Sequence, residues 1–221
     1  VSGEVKTAIV LDFEQHHTFT ITVTARDNGV PKQSSNVTLY VTVSDADDNP
    51  PKFTQDSWSA TVKENASRGE AITQVNATDI DFETAHRKIY YVISGGNEDG
   101  VFGIGYENGT VYLADPGKLD REKSDKYELT IEARTLNEFM NVTVQQSTTK
   151  LTILVEDYND YAPVFRESRY SKKIPESFEL NEEILTVIAD DKDIGINKEI
   201  SYFIVAGNDE GITYFDQNIL Q

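Results

Sequence analysis

The chain repeats itself. Leu11-Asp12-Phe13-Glu14 returns 108 positions later as Leu119-Asp120-Arg121-Glu122. Asp45-Ala46-Asp47-Asp48-Asn49-Pro50-Pro51-Lys52-Phe53 returns after 112 positions as Asp157-Tyr158-Asn159-Asp160-Tyr161-Ala162-Pro163-Val164-Phe165. Lys63-Glu64-Asn65 and Ala77-Thr78-Asp79-Ile80-Asp81 return, again after 112, as Pro175-Glu176-Ser177 and Ala189-Asp190-Asp191-Lys192-Asp193. Separate landmarks sharing a period near 110 residues mark a tandem array, with a unit the size of a β-sandwich domain.

Periodicity within the unit gives its fold class. Phe19, Ile21, Val23 and Ala25 alternate with threonine, and Val37, Leu39, Val41 and Val43 alternate with Thr38, Tyr40 and Thr42. Tyr127, Leu129, Ile131 and Ala133 repeat the pattern, followed by Leu151, Ile153 and Val155. A period of two suits half-buried strands, and no long stretch carries the i, i+3, i+4 stripe of a helix. The reading is all-β. Pro50-Pro51 and Ala162-Pro163 punctuate the repeat with stiff joins rather than flexible Gly/Ser linkers. The expected organisation is the C-terminal half of a repeat over 1–49, a complete repeat over 50–161 and the N-terminal half of a third over 162–221. Both ends fall at a similar point of the repeat, since Gly3-Glu4-Val5 matches Gly109-Thr110-Val111 and Asn208–Phe215 matches Asn97–Ile104.

Composition then limits the partners. With 38 Asp+Glu against 20 Lys+Arg the net charge is −18, which disfavours nucleic acid and anionic lipid and favours cations. There is no Cys, so disulfides, thiolate metal sites and cysteine nucleophiles are excluded. No run of apolar residues is long enough to span a membrane, so no direct membrane insertion is expected of this segment.

The acids recur at the joins. Any one Asp fits a turn, where its side chain bonds its own backbone. Asp45, Asp47 and Asp48 within four residues, however, repel one another unless something neutralises them. Hard oxygen ligands clustered without Cys or nearby His point to calcium. The spacing is not that of an EF-hand loop. His16, His17 and His86 have no zinc-site companions and read as surface residues, while Trp58 reads as core or edge packing. No phosphate loop or nucleophile elbow occurs.

In combination these motifs resemble the extracellular repeats of the cadherin superfamily, over the whole chain. The resemblance implies tandem seven-stranded Greek-key β-sandwiches, immunoglobulin-like in architecture and joined in a linear array. It implies calcium at each junction, stiffening an ectodomain on the extracellular face of the plasma membrane as part of a single-pass membrane protein. Partners would be cadherin ectodomains on the same or opposing cells, homophilic or heterophilic. Three ions at each of two junctions would reduce the charge of −18 to roughly −6.

Carried over by residue, the second junction would use Glu64, Asp120, Glu122, Asn159 and Asp160, with Asp191, Asp193 and a carbonyl of Asn197 from the following repeat. The first would use Asp12, Glu14, Asp48 and Asn49, with Asp47 in place of an Asn, together with Asp79 and Asp81. Asp27 would serve an upstream junction and Glu176 a downstream one. The first junction departs from the pattern at Thr135, where an Asp is expected. Asp47 offers a charge from the opposite side, and the site there is expected to bind calcium more weakly than its counterpart, or not at all. Phe13 stands in place of the Arg.

Five glycosylation sequons, at Asn36, Asn65, Asn76, Asn108 and Asn141, fit an extracellular glycoprotein. Two other readings compete with adhesion. One is a spacer stiffened by calcium with no adhesive face. The other is a β-sandwich carbohydrate-active enzyme, which recurrence of the acids at every join argues against.

Overall fold

The structure, a computed structural model, describes residues 3–137 and 142–214; the sequon at Asn141 lies outside them. The alternating segments are strands. β1 (Thr18–Arg26) and β2 (Ser34–Thr42) form an antiparallel hairpin in which Phe19 faces Val41 and Ile21 faces Leu39.

The following unit contains β3 (Lys52–Phe53), β4 (Ser57–Lys63), β5 (Ala71–Gln74), β6 (Ala77–Thr78), β7 (Tyr90–Gly95), β8 (Phe102–Ile104), β9 (Thr110–Leu113), β10 (Lys126–Asn137) and β11 (Val142–Glu156). One sheet has the order β4-β11-β10-β7 and the other β5-β9-β8, with β3 paired to β6 beside them. Strands β4 and β11 run parallel; the other pairs are antiparallel. Taking β3 with β4 and β5 with β6 as interrupted strands, the two sheets make a seven-stranded sandwich. Period-two patterning fills its interior: Leu129, Ile131 and Ala133 of β10 and Leu151 and Ile153 of β11 are fully buried against Val75, Val111 and Leu113 of the other sheet. Trp58 packs partly buried against this core, at the edge strand β4.

The repeat seen in the sequence is repeated in register. Lys52↔Thr78 and Phe53↔Ala77 recur 112 positions later as Val164↔Asp190 and Phe165↔Ala189, pairing β12 (Val164–Phe165) with β13 (Ala189–Asp190). The Asn97 side chain bridges the backbone N–H and C=O of Phe102, and that of Asn208 bridges Thr213 in the same way. The two sequence offsets have one cause. Ala25 faces Ser35 across the first hairpin, whereas Ala133 faces Ser147 across the second, which is four residues longer and carries a bulge after Arg134. Landmarks before the hairpin therefore repeat after 108 positions and those beyond it after 112.

Candidate metal centres at the repeat joins

At each join the segment leaving β2 or β11 meets two loops: the turn before the β1–β2 or β10–β11 hairpin, and the Asp-x-Asp segment of the next unit. At the first join, Glu14, Asp45 and Asp81 each bring a carboxylate oxygen within 4.8 Å of the other two. Asp81 is 2% exposed, and its Oδ2 has no hydrogen-bond partner. Its Oδ1 accepts from Asn49 Nδ2 at 2.7 Å, and Asn49 also donates to Asp48 at 2.9 Å. Asp79 Oδ1 accepts from the Asp81 N–H, which turns the two side chains of the Asp-x-Asp toward the join. Asp12 is engaged within its own turn by the backbone N–H and side chain of Gln15.

At the second join the acids form two groups that share Glu122. Glu64, Asp120 and Glu122 lie within the same 4.8 Å limit, and so do Glu122, Asp157 and Asp193. Asp193 is completely buried with both carboxylate oxygens unpartnered, and both Glu122 oxygens also lack hydrogen bonds. Asp191 Oδ1 accepts from the Asp193 N–H at 3.0 Å, reproducing the Asp79–Asp81 turn. Glu64 is brought in by β4: its N–H bonds to Glu156 O, and its Oε1 accepts from the Arg121 N–H at 2.6 Å. Asn159 and Asp160 lie on the exposed linker. Asp27 and Glu176 are also exposed, and neither joins the three clusters found among the described residues.

Two ligand candidates are absent from the expected set. Asp45 and Asp157 open the two Asp-rich joins, 112 positions apart, and each enters a cluster. Their repetition was the available signal. Asn197 reaches the same acid, its side-chain amide donating to Asp157 Oδ2 at 3.0 Å. His86 is not a free surface residue: its Nδ1 lies 2.8 Å from Asp45 Oδ2 across the first join. The Thr135 position is informative. Thr135 is fully buried, and its hydroxyl donates to Asp47 Oδ1 at 3.0 Å. The unusual Asp47 and the unusual Thr135 thus face each other.

The electrostatics follow from burial of like charges. Desolvation, reinforced by neighbouring acids, pushes the carboxyls of Asp47, Asp79, Glu122 and Asp193 above their ordinary values. Burial acts on Asp45 in the same sense. It is outweighed by the Glu83 N–H, His86 and the Phe82 N–H, so that carboxyl is held low; His86 is raised in turn by its bond to Asp45. Arg121 Nη1 stands 3.6 Å from both Glu122 and Asp157 and offsets part of the charge at the second join. Buried carboxylates without partners cost several kcal/mol each unless protonated or paired with a cation. The donor atoms are carboxylate oxygens, with no sulfur and no histidine in any cluster, which fits a hard divalent cation such as calcium.

Known proteins resemble this chain along most of its length. A family model described as the cadherin domain matches residues 58–156. The human Cadherin EGF LAG seven-pass G-type receptor 2 is 35% identical over 218 residues, covering 98% of this chain and 7% of that protein. The human Protocadherin Fat 4 is 37% identical over 211 residues, covering 95% and 4%. Among solved structures, mouse Cadherin-23 EC22-24 superposes with a TM-score of 0.74 at 31% identity, covering 86% of this chain and 58% of that one. The chain thus spans only a small part of these long relatives, and the seven-pass receptor among them shows that a single membrane pass is not common to all.

Proposed function

We infer, from a chain that belongs to the cadherin superfamily, a calcium-stiffened stretch of an extracellular, adhesion-type ectodomain. Joins near residues 50 and 162 would divide it into units 1–49, 50–161 and 162–221, and calcium would be held where those units meet. The observation that carries this reading is the set of buried, unpartnered carboxylate oxygens at both joins, contributed from both sides of each. Glu14 and Asp45 would bind from the preceding unit and Asp81 from the following one; Glu64, Asp120, Glu122 and Asp157 would meet Asp193 in the same way. Bound calcium would supply positive charge that neutralises acids from two units at once.

The protein's own residues do the positioning. Glu64 follows directly on strand β4, the turns before the hairpins carry Glu14 and Glu122, and the Asp-x-Asp backbone bonds hold Asp81 and Asp193 inward. Docking the units end to end would convert flexible neighbours into a rod. Extracellular modules bind calcium at about 10⁻⁴–10⁻³ M, so the ions would be largely bound outside cells and still removable. Contact with other cadherin ectodomains, on the same or opposing cells, would be the use of that rod.

Thermal unfolding in millimolar calcium and then in excess chelator tests the proposal. Ligand linkage requires a higher midpoint with calcium that chelation reverses. An unchanged midpoint would remove calcium from the account and leave a fold without the stiffening mechanism.

A further inference from the structure

The two joins carry the same acids but differ in what packs beside them. In the turn before β1, the His16 N–H bonds to Asp12 O, and Asp12 Oδ1 accepts from the Gln15 N–H. This turn places Phe13 and His17 face to face, ring centroids 4.3 Å apart and only 8° from parallel. Phe82, from the other side of the join, completes a triangle: its ring lies 5.4 Å from Phe13 and 6.0 Å from His17. Phe82 is held there by its own backbone, since its N–H and that of Glu83 donate to Asp45 at 3.4 and 2.8 Å.

The second join has no such triangle. The position of Phe13 is taken, 108 residues later, by Arg121, which turns back to Glu122 and Asp157 of its own unit. The position of Phe82 is taken, 112 residues later, by Ile194. Among the described residues no ring–ring contact crosses that join; what crosses it are polar contacts to Asp157 and the Lys192 ammonium 4.4 Å over the Tyr161 ring. Polar contacts of the first kind also cross the first join, together with the Asn49–Asp81 and Thr135–Asp47 bonds, and the rings add an apolar contact with no counterpart at the second.

We propose that Phe13, His17 and Phe82 form a latch that keeps the first join docked when calcium is withdrawn, whereas the second join undocks. The latch rests on the reading of the joins as calcium sites, which it extends. Aromatic contact is indifferent to divalent ions. Each ring pair favours the docked arrangement by a factor of about 2 to 12 beyond area burial, and two pairs cross the boundary. Chelation restores like-charge repulsion among Glu14, Asp45 and Asp81, but it leaves this apolar term in place.

The chain contains no cysteine, so paired spin labels can be introduced at chosen sites. Thr22→Cys with Glu128→Cys would span the first join, and Glu128→Cys with Ser201→Cys the second, all at exposed or half-exposed positions away from the acids. Pulsed dipolar distances would be recorded on the full chain with calcium and with chelator. The expected result is a first-join distribution that stays narrow in chelator while the second broadens. Phe82→Ala should then broaden the first join in chelator, lowering its docked-to-undocked ratio by about 4- to 140-fold, and leave it narrow in calcium. Phe82 is 62% exposed, so its truncation leaves the sandwich core intact; Phe13→Arg, which installs the residue of the second join, is the independent check. The latch is overturned if both joins broaden equally in chelator, or if neither substitution widens the first. If calcium changes neither join, the metal reading fails, and the response to Phe82→Ala in the same buffer still decides the latch.

Discussion

Replacing Asp81 with Asn should raise stability without calcium and shrink the increment that calcium adds. Asp81 lies within 4.8 Å of carboxylate oxygens of both Glu14 and Asp45. At an effective dielectric of about 20, two unit charges at that separation repel by about 3.5 kcal/mol, so two neighbours amount to about 7 kcal/mol before screening. Solvent screening reduces what is released on neutralising Asp81 to about 1–3 kcal/mol. The amide keeps the shape of the side chain and an oxygen to accept from Asn49, which limits the loss there to about 1 kcal/mol. The metal-free midpoint should therefore rise, by about 4 °C for each kcal/mol gained in a unit of this size. Calcium works against that gain. With a Kd of about 10⁻⁴ M and about 2 mM calcium, linkage contributes about 1.8 kcal/mol; tenfold weaker binding leaves about 0.7 kcal/mol. Trp58 is the only tryptophan and packs against the core of the sandwich, so its fluorescence reports the unit that contains Asp81. A variant less stable than the wild type in chelator, or one with an undiminished calcium increment, would refute the account of Asp81 as a ligand strained by its own neighbours.

Two further outcomes follow from the same balance. Thr135→Asp would place a second carboxylate at the fully buried position whose hydroxyl now donates to Asp47, costing roughly 2–5 kcal/mol without metal; calorimetric titration should show tighter calcium binding at the first join, and unchanged affinity would mean Asp47 already completes that site. The raised carboxyls of Asp47, Asp79, Glu122 and Asp193 mean that the folded metal-free protein holds protons the unfolded chain releases, so stability in chelator should fall as pH rises above the ordinary carboxylate range of about 4 and recover on acidification back toward it. Asp45, held low, acts in the other sense but only below its ordinary value of 3.8, outside that window. In calcium the trend should invert, because protons displace the ion, and melts at several pH values in both buffers check the crossing.

Much of this was legible in the sequence because it depends on spacing along a single strand or across a fixed repeat. Alternation in Tyr127–Ala133 and Leu151–Val155 identified the two strands whose inward residues form the core, and the duplicated Asp-rich segments located the joins. What failed to read was what depends on direction. Asp45 and Asp157 sit in the same motifs as the chosen ligands, yet only the backbone path shows that they turn toward Asp81 and Asp193 while Asn159 and Asp160 lie exposed. His86 had no sequence neighbour to suggest a role, because its partner lies 41 residues away across a join. Phe13 and Phe82 carry no shared period either, and each alone is an ordinary loop aromatic.

The departures from the repeat pattern fall together, and this gives them a common physical sense. At the first join a carboxylate is missing at Thr135, an acid has moved into the linker at Asp47, a histidine binds Asp45, and an aromatic replaces the Arg seen at the second. Each change lowers the repulsion that a bound cation must relieve or adds a contact that needs no cation. At the second join Asp193 and Glu122 retain unpartnered oxygens, and the Arg121 guanidinium pairs back within its own unit. A fall in calcium would therefore act on the second join first, loosening the array at one point while its neighbour stays docked.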